Sequence, residues 1–144
     1  MSFSAIVVAA GSGSRAGGAK QWRVLGGRPL LAWSVGALLD AGADEVVVVV
    51  PAGGDDQAAG ALTGLSGWRA VTGGATRAES VQAGLAALST TDDPPVLIHD
   101  AARPFLTRDN IARLLDALTN ADAALLALPV PDTLKREGAP GRGS

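Results

Sequence analysis

The chain has 144 residues, of which 47% are hydrophobic, 3% aromatic and 18% charged, with a formal net charge of −2. This length suits one domain with a core of Ala, Val and Leu, and the net charge argues against nucleic-acid or anionic-membrane binding. The chain contains no cysteine, which excludes disulfides, thiolate metal sites and cysteine nucleophiles. Since it also shows neither a membrane-span-length apolar run nor a secretory signal, we expect a soluble cytoplasmic protein.

The first predicted strand leads into a glycine-rich loop. Residues 6–8 lie in an unbroken apolar run, which is typical of a strand buried on both faces of a parallel sheet. Residues 11–20 then combine several glycines with the cations Arg15 and Lys20. Glycine lets backbone N–H groups approach a ligand, and Arg and Lys supply positive charge. The loop therefore predicts a polyphosphate site.

Other interpretations of this loop remain open. It also fits an ordinary strand–helix turn, or loosely a Rossmann turn built on Gly11, Gly13 and Ala16. A Rossmann turn gives the two cations no role, and Pro51 follows the second strand where an acidic ribose ligand is expected. A P-loop would need Gly-Lys-Ser/Thr, which is absent.

The middle of the chain alternates between helices and strands. A helix is predicted to start within 28–31, with Pro29 near its first turn, and to end at Gly42. The valine run at 45–50 predicts the second strand, 53–67 a short helix, and 68–72 a third strand.

The segment 73–88 predicts a second ligand-binding turn. Thr76 and Glu79 have capping-box spacing, so a helix should start at Thr76. The pair Gly73-Gly74 before it would offer free N–H groups at the positive end of the helix dipole. A plain capped helix is the alternative. We expect its buried face to be Val81, Leu85 and Leu88.

A fourth strand at 96–98 ends in a polar string, His99-Asp100-Ala101-Ala102-Arg103-Pro104. We interpret the single histidine, His99, as structural, and Arg103 alternatively as a brace for its loop. Thr107 should cap a helix whose apolar face is Ile111, Leu114, Leu115 and Leu118.

The predicted domain covers residues 1–135. A fifth strand is predicted at 123–128 and is followed by Asp132-Thr133-Leu134-Lys135, where Asp132 alternatively serves a turn. Residues 136–144 are predicted to be a flexible tail.

Strand–helix alternation predicts an α/β fold with a Rossmann-like, mostly parallel sheet flanked by helices. The polar clusters at 11–20, 73–80, 99–104 and 132–135 each follow a predicted strand. Ligands of such sheets bind beyond the carboxyl ends of the strands, so we expect these clusters to converge at one edge.

These clusters resemble the 2-C-methyl-D-erythritol 4-phosphate cytidylyltransferases of the non-mevalonate isoprenoid pathway. The matching strings are Ala9-Ala10-Gly11-Ser12-Gly13-Ser14-Arg15 with Lys20-Gln21, Gly73-Gly74 with Arg77 and Ser80-Val81, the string 99–104, and 132–135. The resemblance implies the nucleotide-diphospho-sugar transferase type of fold. It also implies transfer of a cytidylyl group from CTP to methylerythritol phosphate with Mg²⁺, by a homodimer in the full-length family.

The resemblance also implies residue roles. Arg15 and Lys20 would stabilise charge on the triphosphate, and Asp100 would contact Mg²⁺ or substrate. The nucleotide-binding residues would be Ala9, Ala10, Gly11, Gly13, Gly73, Gly74, Arg77, Ser80 and Ala101. Arg103 and Thr133 would lie near the methylerythritol phosphate.

This sequence departs from the family pattern in length, because family members continue well past Lys135. We therefore expect the nucleotide-binding front of the enzyme, or of a fused bifunctional enzyme. A truncated nucleotide-binding module without turnover, and a cytidylyltransferase for another polyol phosphate such as a pentitol phosphate, are the alternatives.

Overall fold

The computed structural model of the protein describes residues 3–10, 20–89, 94–101, 103 and 106–121. The strands are β1 (Ser4–Val8), β2 (Val24–Leu25), β3 (Arg28–Pro29), β4 (Glu45–Val50), β5 (Trp68–Thr72) and β6 (Val96–Asp100). The helices are α1 (Leu30–Asp40), α2 (Asp55–Ala61), α3 (Arg77–Ala87) and α4 (Arg108–Ala117), and Lys20–Trp22 forms a 3-10 turn.

Four strands form one parallel sheet in the order β5-β4-β1-β6, which confirms the predicted α/β architecture. Side chains alternate between the two faces of a strand, so the valine run of β4 fills both halves of the core. Val46, Val48 and Val50 pack in a cluster with residues of α1, α2 and α4. Val47 and Val49 pack on the other face, where α3 lies. Helices thus cover both faces of the sheet.

Helix α1 ends as the sequence predicts, at a glycine in a left-handed conformation. Gly42 has φ +98°, and its N–H donates to the Leu39 carbonyl at 3.0 Å. The N–H of Ala43 donates to the Leu38 carbonyl at 3.1 Å, which completes a Schellman motif. The chain is thereby turned into β4.

A small hairpin, β2–β3, was not predicted. Its two-residue turn is Gly26-Gly27, and both φ angles are positive, at 59° and 81°. A Gly-Gly pair between short strands is a recognised signal for such a turn, so the sequence did contain the evidence. Because Pro29 closes this hairpin, it precedes α1 as its N-cap residue.

The predicted buried face of α3 is wrong at Leu85 and only partly right elsewhere, since Leu88 packs against the cluster on that face of the sheet without being fully buried. Leu85 is 45% exposed, and Val81 and Leu88 are only partly buried, whereas Ser80 and Gly84 face the core. A Cβ at Gly84 would lie 2.7 Å from Ile6 Cγ2, so the helix approaches the sheet more closely than leucines would allow. The small residues of α3 therefore face the sheet.

Both helix caps predicted from Thr residues are confirmed. Thr76 and Glu79 form a capping box at α3, and Thr107 forms one with Asn110 at α4. Of the predicted α4 face, Ile111 and Leu115 are buried, and Leu114 and Leu118 pack against the same cluster.

The predicted strand at 123–128 and tail at 136–144 lie outside the described residues. No helix in the described parts of the chain has both the length and the apolar character that a membrane crossing requires.

Candidate functional site

A cavity of about 590 Å³ opens where β1 and β6 end and α3 begins. Its volume falls within the range of about 300–1,000 Å³ usual for small-molecule sites. The described residues that line it are Val8, Ala10, Gln21, Gly74, Ala75, Thr76, Arg77, Ser80, Asp100, Ala101 and Arg103. Three segments far apart in the sequence therefore meet at the carboxyl edge of the sheet, as predicted for the described clusters.

The first wall is the end of β1 and the turn that carries Lys20. The Ala9 N–H donates to the Val49 carbonyl at 2.7 Å, and the buried Gln21 donates through Nε2 to the Ala9 carbonyl, also at 2.7 Å. Gln21 thus fixes the turn beside the strand end and leaves Lys20 exposed there. Sequence reasoning gave Gln21 no role, because a surface glutamine and a buried one look the same in a sequence.

The second wall is the turn at Gly73-Gly74. The sequence predicts free N–H groups here, but the structure shows both donating within the protein. Gly73 donates to the Val50 carbonyl at 2.8 Å, and Gly74 donates to the hydroxyl of the buried Ser80 at 3.2 Å. A Cβ at Gly73 would lie 2.6 Å from Ser80 Oγ and 2.8 Å from Ala10 Cβ. The glycine therefore serves close approach between the strand ends and α3.

The capping box of α3 occupies the next N–H groups of this turn. Those of Ala75 and Thr76 donate to Glu79 Oε2 at 2.7 and 3.3 Å, and the Glu79 N–H donates to Thr76 Oγ1 at 3.1 Å. This end of α3 lines the cavity, and the positive end of a helix dipole favours negative charge.

The third wall is the end of β6 and the residues after it, and here Asp100 and Arg103 meet Arg77 of α3 in a cluster of charges. Arg77 Nη2 lies 3.2 Å from Asp100 Oδ1, and Arg103 Nε lies 3.9 Å from Asp100 Oδ2. The side chains are 60%, 39% and 79% exposed for Arg77, Asp100 and Arg103, so these pairs contribute little to stability. Two guanidinium groups against one carboxylate leave an excess positive charge among the described lining residues, which suits an anionic ligand.

The loop after β6 is held by backbone hydrogen bonds. The Ala101 N–H donates to the Val8 carbonyl at 3.0 Å, and the Arg103 N–H donates to the Asp100 carbonyl at 3.1 Å. His99 Nε2 lies 2.6 Å from the Arg103 carbonyl, which requires the tautomer with a proton on Nε2. Burial lowers the pKa of His99 below its usual value, although this hydrogen bond and Asp100 act against the shift. His99 does not line the cavity, in agreement with a structural role.

The described residues contain no cluster of three or more His, Cys, Asp or Glu side chains able to hold a metal ion. Mg²⁺ at a nucleotide site usually takes one or two carboxylates, with phosphate oxygens and waters as its other ligands. Asp100 is partly exposed and lines the cavity, so its carboxylate fits as one such ligand.

The structure brings most described candidate residues together. Those that line the cavity are Ala10, Gly74, Arg77, Ser80, Asp100, Ala101 and Arg103. Ala9 and Gly73 lie directly behind this lining, and Lys20 lies in the turn anchored by Gln21. Gly11, Gly13, Arg15 and Thr133 lie outside the described residues.

Comparisons with known proteins agree with this arrangement. The profile of the 2-C-methyl-D-erythritol 4-phosphate cytidylyltransferase family matches residues 3–142. The chain is 63% identical over 140 residues to the bifunctional enzyme IspD/IspF of Caulobacter vibrioides strain NA1000, covering 95% of this chain and 37% of that protein. It is 50% identical over 145 residues to the 2-C-methyl-D-erythritol 4-phosphate cytidylyltransferase of Bordetella petrii, covering 95% of this chain and 63% of that protein.

Among solved structures, the crystal structure of 2-C-methyl-D-erythritol 4-phosphate cytidylyltransferase from Thermus thermophilus superposes with a TM-score of 0.69 at 39% identity. The match covers 94% of this chain and 59% of that chain, and it confirms the nucleotide-diphospho-sugar transferase type of fold. The chain thus spans between about a third and two thirds of the length of these relatives. It belongs to the 2-C-methyl-D-erythritol 4-phosphate cytidylyltransferase family.

Proposed function

We propose that this protein transfers a cytidylyl group from CTP to 2-C-methyl-D-erythritol 4-phosphate and releases pyrophosphate. The observation that carries the proposal is the convergence of Gly74, Ser80, Asp100 and Arg103 on one cavity, in a chain whose family match spans residues 3–142. Those residues come from the segments that the family resemblance singles out.

The chemistry explains why a site of this kind is built from cations and backbone. A phosphate oxygen of the acceptor attacks the α-phosphorus of CTP, a new P–O bond forms, and the bond to the β-phosphate breaks to release pyrophosphate. Negative charge accumulates on groups that are already anionic, so catalysis depends on positioning and charge stabilisation rather than on a protein nucleophile. In this proposal Arg15 and Lys20 stabilise the triphosphate charge.

The nucleotide would lie along the first and second walls, which are the end of β1 and the turn at Gly73-Gly74. Ala10 and Gly74 present little side chain, which leaves room for a flat base, and Ser80 supplies a buried hydroxyl beside it. Gly11, Gly13 and Ala101 complete this subsite in the proposal, with Arg77 at its mouth. The preference for cytosine rests on the family resemblance.

Asp100 would supply one oxygen ligand to Mg²⁺, which neutralises phosphate charge when bound. The ion pairs to Arg77 and Arg103 hold this carboxylate at the cavity. Arg103, with its largely exposed guanidinium, and Thr133 would bind the phosphate of the acceptor. A homodimeric assembly stays a prediction from the family resemblance, and light scattering of the purified protein tests it. A cytoplasmic location stays a prediction from the sequence features.

The test is pyrophosphate release by the intact natural protein with CTP, methylerythritol phosphate and Mg²⁺. We expect turnover with CTP and much less with ATP or GTP at equal concentration. A pentitol phosphate replaces the acceptor in a parallel reaction. Faster turnover with the pentitol phosphate would reassign the acceptor, and no release with any acceptor would refute the proposed function.

A further inference from the structure

We infer that Ser34 is a positioning residue of the site, because its hydroxyl and the ring N–H of His99 together fix the turn that carries Asp100 and Arg103. This inference rests on the proposed function for its link to the acceptor. Neither the family resemblance nor the motif pattern singles out Ser34, which lies in the middle of α1, on another element from the cavity lining.

Ser34 is fully buried and polar, so its hydroxyl needs a partner. It lies 3.3 Å from the Ala101 carbonyl oxygen and 3.2 Å from the Arg103 carbonyl oxygen. The single hydroxyl proton is shared between these two acceptors. The contact joins α1 to a turn 67 and 69 positions further along the chain, so it is a tertiary contact rather than a local one.

The Arg103 carbonyl is the point at which both donors meet. It accepts from Ser34 Oγ on one side and from His99 Nε2 at 2.6 Å on the other, which uses both of its lone pairs. The Arg103 side chain is 79% exposed, and so few side-chain contacts hold its guanidinium. The two hydrogen bonds to the Arg103 carbonyl therefore set the position of the Arg103 backbone, from which the guanidinium extends. They also set the orientation of Asp100 toward the cavity.

The chain offers a matched control for the loss of one buried hydroxyl. Ser4 is also buried, in β1 at the opposite end of the sheet from the cavity, and its Oγ has no hydrogen-bond partner among the described residues. Ser34→Ala and Ser4→Ala therefore make the same chemical change, and only the first removes an anchor of the turn. Ser34→Cys adds a third comparison, because a thiol fills the space but donates weakly.

The first measurement is amide hydrogen exchange of the intact natural protein, followed by NMR. We expect Ser34→Ala and Ser34→Cys to speed exchange at the Arg103 amide about tenfold, the effect of losing one buried hydrogen bond. Amides of β4 should be unaffected, and Ser4→Ala should leave Arg103 as in the wild type. The inference would be overturned if the Arg103 amide exchanged in Ser34→Ala or in Ser34→Cys at the rate seen in the wild type.

The second measurement is steady-state kinetics with both substrates. Ser34→Ala should raise KM for methylerythritol phosphate about tenfold, since the turn carries the proposed acceptor contact. KM for CTP should rise as well, though less, because Asp100 and Ala101 lie in the same turn. A merely structural role would lower the amount of folded enzyme and leave both KM values unchanged, which would overturn the positioning role. If the wild type transfers nothing while Ser34→Ala still speeds Arg103 exchange, the anchor stands and the proposed function fails.

Discussion

Replacing Gly73 with alanine tests whether close approach of α3 to the strand ends builds the cavity that we propose for the nucleotide. The added Cβ would lie 2.6 Å from Ser80 Oγ, 2.8 Å from Ala10 Cβ and 2.8 Å from Val49 Cγ1. Ala10 Cβ cannot move by side-chain rotation, and Val49 is a β-branched residue buried in a central strand, so rotation can relieve little of the contact. The methyl group must therefore push the start of α3 outward, and overpacking of this kind costs about 1–3 kcal/mol of unfolding free energy.

Two assays measure the consequences of Gly73→Ala. Thermal unfolding should show a Tm lower by about 2–12 °C, the shift that this loss produces in a domain of this size. Calorimetric titration should show CTP affinity reduced at least about fivefold, since Ser80 and Ala10 line the cavity and loss of one polar contact is worth about 1 kcal/mol.

Gly60→Ala is the matched control for Gly73→Ala. A Cβ at Gly60 would meet no atom within 4 Å, and this residue lies exposed in α2. It should raise stability by at most about 1 kcal/mol through helix propensity, since Gly60 lies in the last turn of α2, and it should leave CTP affinity unchanged. The reasoning is refuted if Gly73→Ala unfolds and binds CTP like the wild type, or if Gly60→Ala weakens CTP binding equally.

Three further predictions concern stability and turnover. Burial alone would raise the pKa of Glu45, but hydrogen bonds from Ser89 and the charge of Arg69 lower it below the usual 4.5. The resulting stabilisation is present above about pH 4.5 and is lost as the pH falls through the folded-state pKa. Glu45→Gln should therefore lower the free energy of unfolding by about 0.5–1.5 kcal/mol at pH 7 and by much less in acid, and urea unfolding at both pH values measures this. Lys20→Ala should reduce turnover of the intact protein far more than Lys135→Ala, and equal small effects would contradict the triphosphate assignment. The 144-residue chain alone should release pyrophosphate more slowly than the same residues joined to the C-terminal segment of the Bordetella relative; equal rates would contradict the proposed acceptor site.

The roles of Arg15 and Thr133 stay predictions from the sequence. Both residues lie outside the described residues, and so their proposed roles depend on the family resemblance and on mutagenesis. Lys20 is described, and the buried Gln21 beside it explains why its turn lies at the end of β1.

The sequence by itself determined the four strands of the parallel sheet and the two capping boxes. The valine run of β4, the capping boxes at Thr76 and Thr107, and the glycine that ends α1 are local signals, since propensity and hydrogen bonding within a few residues decide them. The order of strand–helix units also determined that polar clusters meet at one edge of the sheet.

Only the tertiary structure decided how closely the elements approach one another. The face of α3 that carries Ser80 and Gly84 is buried because it packs against Ile6 and Val49, and no periodicity in α3 alone contains that information. The partners of Gln21 and Ser34 lie 12 and more than 60 positions away in sequence, so their burial depends on contacts that form only when the sheet is complete. The local sequence pattern determines whether a segment forms a helix or a strand. Packing between segments far apart in the sequence determines which polar side chains of that helix or strand are buried beside the site.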